Sequence, residues 1–203
     1  MIKAVAFDFG GVYFQWDHWN WFNQAGKKMD VPGEIFKEAY LNECSAAHKG
    51  HITAQEHFKH MSKFIQERTG KKLDPKKIYQ TMFVMFQPLD RMVKLAKKLR
   101  ENGYKIMLFS NHTTMMDDLN DKWDFYKHFD HPIVSVHVGM EKPEPEFYHY
   151  LIKTAGCKPE EIVFIDDIER NVTAGRKEGI DCILFDGNMG NLKAELKKRK
   201  IKV

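Results

Sequence analysis

The sequence predicts an α/β fold, a doubly wound parallel sheet with a small inserted helical cap. Three observations lead to this prediction: a short apolar strand opens the chain, a long helical stretch follows it directly, and helices and strands alternate from Pro88 onward. Such alternation is typical of a Rossmann-like sheet with helices on both faces. We therefore predict a core formed by residues 1–14 and 87–203 and a cap formed by residues 15–86.

The composition indicates a globular protein and excludes several classes of partner. The chain has 203 residues, 43% hydrophobic and 30% charged, and a net charge of +4. This small charge gives little support for nucleic-acid binding, and no apolar run reaches the roughly 18 residues that span a bilayer. We expect no signal peptide, and the three cysteines lack the spacing of metal ligands. We expect reduced thiols, a cytoplasmic location, and no nucleic acid or membrane partner; the oligomeric state is not predicted.

The first strand ends in a carboxylate that two glycines follow. The apolar run around Val5 and Phe7 predicts a buried strand, and Asp8 stands near its exit with Gly10 and Gly11 behind it. A buried carboxylate needs a cation or a polar cleft, and a glycine turn lets backbone N–H groups approach a small anion. This arrangement suits attack of the carboxylate on phosphorus. An Asp that caps a turn behind a core strand is the alternative.

The stretch that follows predicts helices inserted directly behind the first strand. An aromatic segment at 14–22 holds three of the four tryptophans. Most of these rings we expect to pack the cap onto the core, with Trp16 placed at the substrate wall. Thr53 with Glu56 forms a capping box, and Asp74 before a proline predicts a further helix start.

Histidines in this stretch allow two interpretations each. His48 and His51 flank a glycine in a loop that should lie over the site; a plain surface loop is one interpretation and contact of either histidine with the substrate is the other, and we name His51 among the substrate-binding residues. His57 and His60 lie three apart on one predicted helix. Because no third ligand stands in the pattern, we expect them to face solvent rather than to bind zinc.

Polar residues stand at or just past the carboxyl ends of four predicted strands. These are the first strand and the strands at 104–109, 133–136 and 162–165. The residues at these exits are Asp8, Ser110 with Asn111, Lys142, and Asp166 with Asp167. A last strand is predicted at 182–185. In a doubly wound sheet such exits meet in one crevice. Carboxylates that share a site repel each other unless a divalent cation lies among them, and oxygen ligands without Cys or His indicate Mg²⁺.

These exits resemble the four motifs of the haloacid dehalogenase superfamily of aspartyl-nucleophile phosphatases. The motifs here are Phe7–Val12, Leu108–Asn111, Gly139–Pro143 and Phe164–Asp167. The resemblance covers essentially the whole chain, and the pair Asp166–Asp167 with Asn171 is similar to a subclass. That subclass includes a bacterial alpha-D-glucose-1-phosphate phosphatase and the N-terminal phosphatase domain of soluble epoxide hydrolases. The resemblance implies a phosphatase that acts with Mg²⁺ on a small phosphorylated metabolite, with sugar phosphates favoured.

The resemblance also implies a role for each motif residue. Asp8 becomes the phosphorylated nucleophile, Ser110 and Asn111 hold the transferred phosphoryl group, and Lys142 neutralises both anions. The implied magnesium ligands are Asp8, the Gly10 carbonyl, Asp167 and Asp166 as a further ligand or support. The expected substrate-binding residues are Phe9, Gly10, Gly11, Trp16, His51, Ser110, Asn111 and Lys142.

One position departs from the usual motif of this superfamily. A second Asp normally stands two residues after the nucleophile as general acid and base, and here that position is Gly10. Loss of such a group typically reduces the rate by about 10²–10⁴. Three explanations are open. The substrate has a good leaving group that needs no proton, another residue supplies the proton, or the protein is a poor catalyst or not a catalyst. The candidates for the second explanation are Asp17, His18, His51 and His112.

Two rival functions share the predicted cleft. A 2-haloacid dehalogenase resembles this chain in lacking the second Asp, but its reaction attacks carbon and needs no metal. The pair Asp166–Asp167 therefore favours the phosphatase. A non-catalytic binding or regulatory protein is the other rival, and the joint presence of Asp8, Lys142 and the acidic pair argues against it.

Overall fold

The computed structural model describes residues 1–16 and 20–203, and within them one parallel five-stranded sheet forms the centre of the chain. The strands are β1 Ala4–Phe7, β2 Lys105–Ser110, β3 His131–Val134, β4 Ile162–Asp166 and β5 Asp181–Leu184. Their order is β3-β2-β1-β4-β5, and every neighbouring pair is parallel. The predicted α/β fold is confirmed. The chain winds outward from β1 on one side and then crosses to β4 on the other, which opens a crevice at the carboxyl ends of the central strands.

Helices cover both faces of this sheet. They are α6 Asp90–Glu101, α7 Met115–Trp123, α8 Ser135–Val138, α9 Pro145–Ala155, α10 Glu169–Lys177 and α11 Met189–Lys198, with 3₁₀ turns at Tyr126–His128 and Pro159–Glu161. Successive residues of β1 point to opposite faces, so that Val5 and Phe7 join one buried cluster while Ala4 and Ala6 join another. Burial on both faces explains the unbroken apolar run of the first strand. We call the five strands with these helices the α/β core.

Five helices lie between β1 and α6 in the described part of the chain. They are α1 Asn20–Met29, α2 Gly33–Asn42, α3 Cys44–His48, α4 Ala54–Thr69 and α5 Pro75–Met85. Thr53 and Glu56 form the predicted capping box at the start of α4, and the Asp74 side chain caps α5. We call residues 20–86 the helical insertion.

The helical insertion contacts loops at the carboxyl edge of the sheet. The Ser45 hydroxyl donates to the carboxylate of Glu141, and the Ala54 N–H donates to the Thr114 hydroxyl over 3.0 Å. The Tyr79 hydroxyl donates to Asp118. These contacts hold the helical insertion over the crevice.

Two local predictions were wrong. The strand predicted to run to residue 136 ends at Val134, because the Ser135 hydroxyl bonds the N–H and the carbonyl of His112 and so replaces the next step of the ladder. His57 does not face solvent: it is fully buried, with Nε2 2.9 Å from the Tyr40 carbonyl, because α4 packs against α2 on that side. Among the described residues, no helix is both long and apolar enough to span a bilayer.

Candidate functional site

A cavity of about 520 Å³ lies between the α/β core and the helical insertion. The α/β core lines it with the predicted residues Asp8, Ser110, Asn111, Lys142 and Asp167. The helical insertion and its flanking residues add mostly aromatic side chains. The structure therefore brings residues from four separate strand exits to one space, as the parallel topology predicts.

The Lys142 side chain is the electrostatic centre of the site. Its Nζ lies 2.7 Å from Asp8 Oδ1, 2.7 Å from Asp166 Oδ2 and 3.1 Å from the Phe109 carbonyl. Only 2% of this residue is exposed, which makes it a buried cation shared by two carboxylates. Burial opposes its charge, but Asp166 and Asp8 raise the pKa of Lys142 and keep it protonated.

The charge state of the Asp8 carboxylate depends on the Lys142 ammonium. Burial raises the pKa of Asp8 to about 7, Lys142 opposes this shift, and the carboxylates of Asp166 and Asp167 reinforce it. Added positive charge near Asp8 would favour the ionised, nucleophilic form.

Asn111 orients Lys142. Its Nδ2 donates to the Lys142 carbonyl and its Oδ1 accepts from the Lys142 N–H, both over 2.8 Å. The amide oxygen and one of the two Nδ2 hydrogens are therefore engaged with the Lys142 backbone, and the second Nδ2 hydrogen is the one that could meet the phosphoryl oxygens expected at this residue. Ser110 lines the cavity, and its hydroxyl donates a long hydrogen bond of 3.4 Å to the Asn111 carbonyl.

The two carboxylates of the acidic pair have different surroundings. Asp166 is fully buried and accepts hydrogen bonds from Lys142, the Ile168 N–H and the Asn171 amide. Asp167 lines the cavity. One oxygen of each lies within 4.8 Å of the other and of an oxygen of Asp8. A set of carboxylate oxygens fits Mg²⁺, with Asp8 and Asp167 towards the cavity.

The glycine turn behind Asp8 is shaped around Asp167. Gly11 has φ +79°, and a Cβ at this position would lie 2.0 Å from Asp167 Oδ2, so only glycine fits. Its N–H donates to the Phe14 carbonyl, which removes it from the amides expected to face a substrate. Gly10 lies opposite Phe14 in an isolated β-bridge, and the two hydrogen bonds of this bridge come from its neighbours. The Phe14 N–H donates to the Phe9 carbonyl, and the Gly11 N–H donates to the Phe14 carbonyl.

Trp16 forms part of the cavity wall. Its ring stacks on Phe86 at 5.5 Å with an interplanar angle of 14° and lies 4.2 Å from the ring of Trp21. A Cβ on Gly10 would lie 3.5 Å from Trp16 Cβ and Cγ. The indole therefore borders the position at which the usual second Asp would extend.

The four candidates for the missing acid differ in their position relative to the cavity and in their charge state. Asp17 and His18 lie outside the described residues. His51 is exposed and is not among the described residues that line the cavity. His112 lines the cavity, but burial, aided by the charge on His48, lowers its pKa to about 4, so that it is neutral at pH 7.

A row of cavity residues on the helical insertion was not predicted from the sequence, apart from His48, whose loop was expected to lie over the site. The row consists of Lys37, Tyr40, Leu41, Cys44 and His48. Their spacing of three and four residues is the signal of one helical face, and it continues across the short break between α2 and α3. Glu169 and Arg170, directly after the acidic pair, line the cavity as well.

Comparison with known proteins gives a consistent result. A family model described as haloacid dehalogenase-like hydrolase matches residues 2–179. Bifunctional epoxide hydrolase 2 of Mus musculus is 26% identical over 214 residues, which cover 97% of this chain but only 38% of that protein. D-ribitol-5-phosphate phosphatase of Bacteroides thetaiotaomicron is 26% identical over 192 residues, 89% of this chain and 90% of that enzyme.

Solved structures share the fold. A haloacid dehalogenase family enzyme of Bacteroides thetaiotaomicron, in complex with magnesium and inorganic phosphate, has a TM-score of 0.75 and 26% identity over 95% of this chain and 99% of its own. L-2-haloacid dehalogenase from Xanthobacter autotrophicus has a TM-score of 0.68 at 19% identity, over 100% of this chain and 85% of its own, and so shares the fold alone.

Proposed function

The chain belongs to the haloacid dehalogenase-like hydrolase family, and we propose that it is a magnesium-dependent phosphatase of a small phosphorylated metabolite that acts through an aspartyl-phosphate on Asp8. The observation that carries this proposal is the cluster of three carboxylates around one buried ammonium: Lys142 bonds Asp8 and Asp166, and an oxygen of Asp167 lies within 4.8 Å of both acids. A site for attack on carbon would need no such excess of negative charge.

Different residues of the cavity supply the nucleophile, its charge balance and the groups that bind the phosphoryl oxygens. Lys142 favours the ionised form of Asp8, whose free oxygen attacks phosphorus while the bond to the leaving oxygen breaks. The Ser110 hydroxyl and the N–H groups of Phe9, Gly10 and Asn111 hold the phosphoryl oxygens. Asn111 contributes chiefly by keeping Lys142 in place. Water then hydrolyses the acyl phosphate and restores Asp8.

Magnesium would be held by the Asp8 and Asp167 carboxylates and the Gly10 carbonyl. Asp166 supports this site through its bonds to Lys142 and Asn171 rather than as a ligand, since its oxygens are already engaged. The ion supplies positive charge that lets an anionic nucleophile meet an anionic phosphate.

For the organic part of the substrate we favour a sugar phosphate. A cavity of about 520 Å³ is of the size of small-molecule sites, and the apolar face of a sugar ring fits the flat surface of Trp16. The relative named for D-ribitol-5-phosphate supports a phosphorylated sugar or polyol. Lys37 and Arg170 add positive charge to the same cavity.

Release of inorganic phosphate from a panel of phosphorylated metabolites and p-nitrophenyl phosphate, with MgCl₂ or with EDTA, tests the proposed function. We expect turnover that requires magnesium and that Asp8→Asn abolishes. Chloride release from a 2-chloro acid without metal would instead identify a dehalogenase. Absence of turnover on the whole panel would favour a binding protein.

A further inference from the structure

The cavity lacks an acid at the position where this family usually has one. Gly10 replaces the second Asp, and the ring of Trp16 borders the space beside it. An alkoxide is a poor leaving group, so hydrolysis of a sugar phosphate is slow unless a proton reaches the leaving oxygen. Another group on the cavity wall must therefore supply this proton.

We propose that His48, oriented by Glu141, is the general acid that protonates the leaving group. This inference rests on the proposed phosphatase function and adds the residue that supplies its proton.

The position of His48 supports this role. It is the last residue of α3 and lines the cavity that also contains Asp8. Its Nδ1 lies 3.3 Å from Glu141 Oε2, and Glu141 directly precedes Lys142, so that one loop of the α/β core holds both the lysine at the nucleophile and the histidine. The Ser45 hydroxyl donates to the other oxygen of Glu141. Nδ1 faces Glu141, and Nε2 makes a hydrogen bond with Cys44 Sγ at 3.3 Å, a contact with a weak sulfur partner that the leaving oxygen of a substrate would replace.

The charge state of His48 supports the role as well. Burial lowers its basicity, but Cys44 and Glu141 outweigh this effect and raise the pKa of His48 to about 9, so that it carries a proton at pH 7. The groups that act on it from the packed elements are Cys44 on α3, His57 on α4, His112 behind β2 and Glu141 behind α8, and Tyr40 on α2 bonds with Cys44.

Other titratable groups of the cavity fit the role less well. Burial lowers the pKa of His112 to about 4, which leaves no imidazolium to donate. Burial raises the pKa of Tyr40 well above its usual value, which makes its hydroxyl a poor acid. Glu169 is exposed, with its carboxylate near Arg176, and lysine and arginine side chains are much weaker acids than an imidazolium.

The proton balance of the reaction then closes. As Asp8 attacks, the bond from phosphorus to the leaving oxygen breaks, and that oxygen takes the proton from Nε2 of His48, which becomes neutral. In the second step water attacks the phosphorus of the aspartyl-phosphate, and Nε2 takes a proton from this water. The products are the alcohol and hydrogen phosphate, with His48 charged again.

The leaving group distinguishes an acid from a structural residue. We compare kcat/KM of wild type and His48→Gln on two substrates. The first is p-nitrophenyl phosphate, whose p-nitrophenolate group leaves without protonation, and the second is an alkyl or sugar phosphate that the wild type hydrolyses with magnesium. We expect a loss of about 10²–10³ on the alkyl ester and less than about threefold on the aryl ester. The wild type should also lose activity on the alkyl ester above pH 9, and the variant should lack this alkaline limb.

The matched control is His149→Gln, a change of the same kind at an exposed histidine that also pairs with a glutamate, Glu178, but lies on α9 outside the described cavity lining. It should leave both substrates unaffected. Equal losses on both esters, or none on either, with His48→Gln would overturn the proposal.

If His48→Gln does not fold, as judged by circular dichroism, Glu141→Gln replaces it. That variant should lower the pH at which the alkaline limb begins, and an unshifted limb would overturn the proposal. A wild type without turnover of any phosphate ester contradicts the proposed function itself, and with it this inference. A wild type that hydrolyses only aryl and acyl phosphates overturns the inference about His48 alone.

Discussion

The α/β core and the helical insertion line one cavity with different kinds of contact. In the α/β core, the ammonium of Lys142 and the carboxylates of Asp8 and Asp166 meet at 2.7 Å, with side chains that are at most 8% exposed. Where the helical insertion meets the core, the ion pair of Lys49 and Glu144 has side chains that are 22% and 36% exposed. A buried charge that loses its partner destabilises the fold strongly, whereas an ion pair that water reaches contributes little to stability. We infer that the nucleophile and its balancing charge belong to the core, whereas the insertion supplies the proposed proton donor and most of the surface that meets the organic part of the substrate.

The largest expected effect is on the nucleophile. Asp8→Asn keeps the shape of the side chain but removes the attacking oxygen anion, and turnover should fall by at least about 10⁴. Magnesium-dependent phosphate release measures this loss. Asp186→Asn is the control, because Asp186 also follows a strand of the sheet but is not among the described residues lining the cavity. Residual activity of Asp8→Asn within tenfold of wild type would contradict the assignment.

The two kinds of ion pair should differ in stability. Lys142→Met leaves two buried carboxylates without their cation, and we expect the free energy of unfolding to fall by about 3–5 kcal/mol. Lys49→Met removes a partly exposed partner and should cost less than about 1 kcal/mol. Urea unfolding at pH 7 measures both. Similar losses in the two variants would remove the contrast between core and insertion.

The helical insertion should weaken in acid through a buried histidine. Burial lowers the pKa of His57 to about 4, below its value in the unfolded chain, so the unfolded state binds more protons between these values. Stability is therefore lost as the pH falls below about 6.5, by about 2 kcal/mol from this group at pH 5.

Urea unfolding at pH 7 and pH 5 measures this loss. In His57→Gln it should be about 2 kcal/mol smaller, since the amide can still donate to the Tyr40 carbonyl without titrating. His60→Gln, on the same helix and half-exposed, is the control that should keep the wild-type dependence. An unchanged dependence in His57→Gln would show that His57 is not held neutral.

The smallest effect concerns substrate recognition. Trp16→Ala removes the flat wall beside Gly10, and KM for a sugar phosphate should rise about three- to tenfold, while turnover of acetyl phosphate should change little. Steady-state kinetics on both substrates measure this split. Trp123→Ala, on α7 and outside the described cavity lining, is the control. An equal change on both substrates would place Trp16 in the catalytic step instead of the recognition surface.

The amino-acid sequence determined the sheet and the residues at its carboxyl edge. An apolar strand such as 162–165 is visible because its period and length are local properties, and parallel winding brings the exits of such strands together wherever the intervening chain runs. For this reason Asp8, Lys142 and Asp167 were placed in one crevice from the sequence.

Tertiary packing alone decided how the crevice is divided and completed. Neither the bonds of Asn111 to Lys142 nor the enclosure of Asp166 follows from a motif, because adjacent residues at a strand end point in different directions. The approach of His48 to Glu141 joins residues 93 positions apart through the docking of α3 on the core. Such contacts depend on which faces meet when helices pack, and that choice is made by the whole molecule.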